Sequence, residues 1–157
     1  MQKEQIQEFT SKITLSNRTG LTVVTYEILF AYLVDVKCAL KEERWDDYKQ
    51  SIRKAQKCIT ELMETLNFTY DLSIELHRIY SYGKELLAKA MYKRSDAEIA
   101  ECEILLKMLY ESFVKVAETD KSPVLMQNTE QVYAGYTYGR SDVNSSLAAN
   151  PSRGFFV

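Results

Sequence analysis

Apolar residues recur along this chain at alternating steps of three and four, in four successive stretches. No other feature constrains the fold as much. The first stripe reads Val23, Tyr26, Phe30, Leu33, Lys37, Leu40, and the second Tyr48, Ile52, Ala55, Ile59, Leu62, Leu66. The third reads Leu72, Leu76, Ile79, Gly83, Leu86, Ala90, and the fourth Ile99, Cys102, Leu106, Leu109, Phe113, Val116. A helix brings residues three and four apart onto one face, whereas a strand alternates every two. The spacing therefore predicts four amphipathic helices. The turn-formers agree. The 157 residues include five Gly and two Pro, where average usage gives about 11 and 8. Sandwiches and α/β domains need many turns, and these residues make them. Five of the seven (Pro123, Gly135, Gly139, Pro151 and Gly154) fall after residue 120.

The helix boundaries are written locally. Asn17 is a good N-cap type ahead of the apolar run that starts at Leu21. Between Leu21 and Leu40 only Glu27, Asp35 and Lys37 are charged, and a second stripe reads Leu21, Val24, Ile28, Ala31. A helix that is apolar nearly all round is buried all round or is completed by a partner. Lys41–Arg44 and Asn67–Asp71 are breaks, with Asp46 expected to cap the second helix. Ser95-Asp96-Ala97-Glu98 has the form of a capping box, in which each side chain serves the other's free N–H. Gly83 lies within a helix, where it costs about 1 kcal/mol relative to Ala, and is expected where a neighbouring helix comes close.

Short links force sequential helices to run antiparallel. The expected fold is all-α: an antiparallel four-helix bundle over residues 17–119, with a short N-terminal arm (1–16) and an irregular C-terminal extension (120–157). The arm carries Ile6, Phe9, Ile13 and Leu15 among polar residues, and its helicity is left open. The extension is weakly charged but carries Val124-Leu125-Met126, Tyr133, Tyr136, Tyr138, Phe155 and Phe156. It is expected either to be flexible or to dock on the bundle.

The chemistry is sparse. With 20 Lys+Arg against 22 Asp+Glu, the net charge of −2 argues against a nucleic-acid footprint. No uncharged apolar run approaches the roughly 18 residues of a membrane span. The polar start leads into no apolar signal core. Cys38, Cys58 and Cys102 are an odd, scattered set, expected as reduced cytoplasmic thiols packed as small hydrophobes. His77 is the one histidine, and Ile74 stands where a di-iron Glu-x-x-His motif needs Glu. A histidine phosphotransfer module using His77 is an alternative class. That family, however, places a small residue where the run His77-Arg78-Ile79-Tyr80-Ser81 has bulky Tyr80. No Gly-rich loop precedes a helix, and carboxylates such as Glu61, four after Lys57, suit helix support. No catalysis, cofactor or metal is expected.

The segment Lys54-Ala55-Gln56-Lys57-Cys58-Ile59-Thr60-Glu61-Leu62-Met63-Glu64-Thr65-Leu66 resembles the second-helix signature of the flagellin export chaperones, the FliS family. Leu72-Ser73, Leu76, Ile79-Tyr80-Ser81-Tyr82, Leu86 and Ala90 resemble its third helix, and Leu21 followed by Tyr26-Glu27 its first. Asn17 stands where the family has a Ser cap, and Arg18 replaces the following Pro. The resemblance covers about residues 17 to 118. Two departures are plain: the arm has no tyrosine, and nearly 40 residues follow the fourth helix.

The resemblance implies a non-enzymatic cytoplasmic chaperone that binds newly made flagellin through its C-terminal segment. It would prevent premature polymerisation and deliver the client to a flagellar export gate component, as a monomer or weak dimer without nucleic acid or membrane insertion. A generic helical adaptor or oligomerisation bundle is the main competing class. Apolar residues in excess of one core are the candidate client surface: Leu21, Val24, Tyr26 and Ile28 on the first helix, and Met63, Ile74, Tyr82 and Leu87 off the later stripes.

Overall fold

In a computed structural model, which describes residues 3–126, the chain forms five α-helices and, among those residues, no strand. They are α1 (Lys3–Thr14), α2 (Arg18–Lys41), α3 (Trp45–Glu64), α4 (Asp71–Lys93) and α5 (Asp96–Thr119). The last four lie on the four predicted stretches. The fifth, α1, fills most of the expected arm, so four helices plus an arm becomes five helices. Its signal was present: Ile6, Phe9 and Ile13 are themselves spaced three and four. Glu8 and Lys12 pair one turn apart at 3.0 Å. No α1 residue is buried, and a helix this short is marginal alone. It leans on α2, where Lys12 Nζ donates to Glu27 Oε2 at 2.8 Å. The aromatic residues expected to anchor the extension, Tyr133 to Phe156, lie outside the described residues.

The contacts join α2 to α3 and α5, and α4 to the same two helices, while α1 lies on α2. Named contacts give the directions. Tyr48 Oη donates to Ala90 O, and Gln56 Nε2 to Lys84 O, so α3 and α4 run antiparallel. Tyr82 meets Glu101 while Lys93 meets Glu98, which makes α4 and α5 antiparallel. Lys37 pairs with Glu103 while the Tyr26 ring meets that of Tyr110, so α2 and α5 are antiparallel as well.

The core follows the stripes with two instructive shifts. On α3, Tyr48, Ile52, Ala55, Ile59 and Leu62 are all buried, as predicted. On α4 the central line runs Ser73, Leu76, Tyr80, Gly83, Leu87, Ala90, one position on from the predicted stripe at three of its six positions. Leu72 is consequently exposed and Leu87 central. Leu86 stays buried too, because α4 packs on both α3 and α5. On α2 the line passes through Tyr26, Leu29, Leu33 and Val36. Lys37, inside the predicted stripe, instead sits at the edge and pairs with Glu103.

Caps also differ in detail. Asn17 caps α2 as predicted, its Oδ1 accepting from Gly20 N–H at 2.8 Å. Asp46 does not cap α3: that helix starts at Trp45, with Arg44 at the N-cap position and no side-chain cap bond. Ser95 caps α5, but its Oγ accepts from Ala97 N–H, and the Glu98 carboxylate turns to Lys93 Nζ at 2.7 Å. Gly83 is lined as expected by neighbouring helices, with Cys102 Sγ 3.6 Å from its carbonyl oxygen.

Candidate functional site

The segment that carries the family resemblance joins three helices. Lys54 Nζ lies 5.7 Å from the centre of the Tyr32 ring on α2. Ala55, small enough for close packing, is fully buried. Gln56 Nε2 donates to Lys84 O on α4 at 3.2 Å, and Lys84 Nζ returns a bond to Thr60 Oγ1 at 2.9 Å. Tyr26-Glu27 divides its work between two directions, since successive helical residues point to different sides. Tyr26 enters the core, while Glu27 accepts from Lys12 Nζ on α1 at 2.8 Å and from Tyr110 Oη on α5 at 3.4 Å.

At the end of the molecule where α2 begins and α3 ends, the core is not closed. A groove of about 620 Å³ opens there. Its walls come from Leu21, Thr22, Thr25 and Ile28 on α2, Leu62 on α3 with Thr65 and Leu66 just after it, and Leu76 and Tyr80 on α4. Ile13, Phe113 and Leu125 add apolar surface, and Arg18, Glu61, Asn67 and Ser73 add polar groups. The threonines do not make it polar. Thr22, Thr25 and Thr65 donate their hydroxyls to Arg18 O, Leu21 O and Leu62 O within their own turns. Satisfied in this way, they leave the lining dominated by aliphatic and aromatic groups. Such a groove suits the apolar face of an incoming helix.

The eight candidate client residues divide sharply. Leu21 and Ile28 line the groove. Met63 is half-buried against the core. Ile74 and Tyr82 are 43% and 42% exposed on α4, and Tyr82 Oη donates to Glu101 Oε1 at 2.6 Å. Val24, Tyr26 and Leu87 are 5%, 0% and 0% exposed, so none of the three offers a surface to a partner in this conformation. Leu87 belongs to the core because the buried face of α4 lies one position on from the predicted stripe there. Missing from the candidates were Leu62, Leu66, Leu76 and Phe113, assigned wholly to the core. Periodicity says which face is apolar but not whether the far end of that face is covered. Ile13, whose spacing from Phe9 and Ile6 carried a helical signal, was also missed.

Further exposed apolar residues flank this end: Phe68, Tyr70 and Leu72 lie exposed around the α3–α4 link. Isolated exposed apolar residues are ordinary, but a sequence-local set such as Phe68 to Ile74 widens the apolar rim. His77 is partly buried, with its ring 5.7 Å from that of Phe68 in an edge-on contact. Cys58 and Cys102 are buried, and burial pushes both thiols up to about 12. Cys38, by contrast, is exposed rather than packed. Among the described residues, no group of three or more His, Cys, Asp or Glu is placed to hold a metal ion. Among the same residues, no helix is long and apolar enough to cross a membrane.

No curated protein matches the chain. The family model described as flagellar protein FliS matches residues 1–120, from before α1 to the residue that follows α5. The match takes in α1, which precedes the residues 17–118 that carry the resemblance. With a match over most of its length, the chain belongs to the flagellar protein FliS family.

Proposed function

We propose that this protein is a flagellar export chaperone. It binds newly made flagellin through the client's C-terminal segment, holds it back from premature polymerisation, and passes it to a component of the flagellar export gate. It works in the cytoplasm, without catalysis, as a monomer or weak dimer. In this reading α2–α5 act as a four-helix bundle over residues 17–119, and α1 and residues 120–157 are additions to it.

The observation that carries the reading is the open apolar groove in a chain of this family. A client segment that becomes helical only in the filament is exposed amphipathic chain beforehand, and a groove lined like this one takes such a helix face-on. Part of the binding energy orders the client, which keeps a large interface releasable. Leu21 and Ile28 contact the client in the groove, and Met63, Ile74 and Tyr82 extend the contact along the rim. Val24, Tyr26 and Leu87 hold the walls in place from inside.

The test is capture of the purified chain by immobilised flagellin C-terminal segment, with an unrelated amphipathic helix as control. Selective capture supports the reading. Equal capture by both peptides would favour a generic helical adaptor, and transfer of a phosphoryl group to His77 would favour a phosphotransfer module.

A further inference from the structure

We infer that residues 120–126 form a strap over the mouth of the groove, which competes with the client for it. The strap begins where the family match ends, at residue 120. Asp120 leaves α5 in an extended conformation, with φ −79° and ψ 109°. Its carboxylate accepts from the Thr19 hydroxyl in the first turn of α2 and, at 2.9 Å, from Ser122 N–H. Asn17, while capping α2, donates through Nδ2 to Asp120 O at 3.3 Å and to Ser122 O at 3.4 Å. Leu125 N–H donates to Ser16 O at 3.1 Å, which brings the Leu125 side chain into the groove wall.

The strap is built for displacement. Its apolar residues are only partly covered, with Val124, Leu125 and Met126 at 38%, 57% and 51% exposure. A few peripheral hydrogen bonds and one leucine hold it, and water or a client can replace each of these. When a binding-competent state is populated only in part, apparent affinity falls by that fraction. A closed strap therefore slows client entry, and release of the latch restores it. This inference rests on the chaperone reading for the identity of the client but not for the existence of the latch.

The experiment uses the full chain and three variants: Thr19→Val and Asp120→Ala, which remove the latch, and Thr19→Ser, which keeps its hydroxyl. Amide hydrogen exchange at Leu125 reads the strap directly. Protection is expected in the wild type and in Thr19→Ser and is lost in the other two. The on-rate of a labelled flagellin C-terminal segment is expected to rise about tenfold in the unlatched pair, as for a strap closed roughly nine-tenths of the time. An unprotected Leu125 in the wild type, protection retained in both unlatched variants, or an on-rate unchanged or slowed after protection is lost would each overturn the strap. Failure of the wild type to bind flagellin at all strikes the proposed function instead. The strap is then decided by anilinonaphthalene sulfonate fluorescence: a gain in the unlatched variants supports it, and no gain overturns it.

Discussion

The hydroxyl groups of Tyr26 on α2 and Tyr80 on α4 lie 2.6 Å apart in the buried core. These helices do not share a main packing seam, since each packs chiefly on α3 and α5. The pair therefore ties opposite sides of the molecule together. The Tyr26 ring also meets Phe113 at 5.7 Å and Tyr110 at 6.1 Å, and Tyr80 forms part of the groove wall. Burial pushes both phenols above their ordinary value, so both stay neutral and one donates to the other.

Removing one hydroxyl strands the other. Tyr80→Phe leaves Tyr26 Oη buried without its partner, and is expected to cost about 1–3 kcal/mol. Tyr26→Phe/Tyr80→Phe together removes both polar groups and is expected to recover most of that loss. Urea unfolding of the four proteins in a double-mutant cycle measures the coupling.

Gly83 offers a stabilising change. A Cβ placed there would meet Ile59 Cδ1 at 3.7 Å and Cys102 Sγ and Leu106 Cδ2 at 3.8 Å, which is ordinary contact. Gly83→Ala is expected to raise stability by about 0.5–1 kcal/mol through lower backbone entropy in the unfolded chain. Gly83→Val, with two further carbons directed at those atoms, is expected to lower it. Thermal unfolding checks both.

Glu98 makes part of the stability depend on acid. The Lys93 ammonium and the Ser95 hydroxyl hold its carboxyl down to about 2, from an ordinary 4.5. A folded-state value below the unfolded one gives stability that is present above pH 4.5 and lost as pH falls from there through about 2. Glu98→Gln should therefore be less stable than the wild type at neutral pH, with the difference shrinking across that window. Urea midpoints from pH 7 to pH 2 measure it.

Asn17 has two jobs, and substitution separates them. Asn17→Ala removes the α2 cap and the donor to the chain after α5, and is expected to cost about 1–2 kcal/mol. Asn17→Asp keeps the capping oxygen but loses the donor, so its cost should be intermediate and confined to the 120–126 segment. Hydrogen exchange at Gly20 and Leu125 distinguishes the two.

Much of this fold is legible in the residues. The α3 stripe from Tyr48 to Leu62 is buried in the predicted order because one side of that helix is densely charged, which leaves no choice of face. On α4, apolar residues border the stripe on both sides, and Leu72 competes with Ser73 for its start. There the one-position shift to Tyr80 and Leu87 was decided by tertiary contact. Leu87→Asp is consequently expected to unfold the protein rather than to spare the fold and weaken a client surface. α1 was legible in Ile6, Phe9 and Ile13, but its docking through Lys12 and Glu27 lies fifteen residues apart in sequence. The groove was half legible: Leu21 and Ile28 stood out as surplus apolar residues. The opening beside Leu66, Leu76 and Phe113 depends on how helix ends meet, which no stripe records.

The central claim is that the groove receives the flagellin C-terminal segment. Titration calorimetry of the full chain against that segment, in the wild type, Ile28→Asp and Ile74→Asp, tests it most directly. Circular dichroism is recorded for each protein alongside. The account predicts binding by the wild type and a loss of at least about tenfold, or roughly 1.4 kcal/mol, for Ile28→Asp with its helical signal intact. The rim variant Ile74→Asp should show a smaller loss. Equal affinity of natively folded Ile28→Asp and the wild type, or no binding by the wild type, would contradict it.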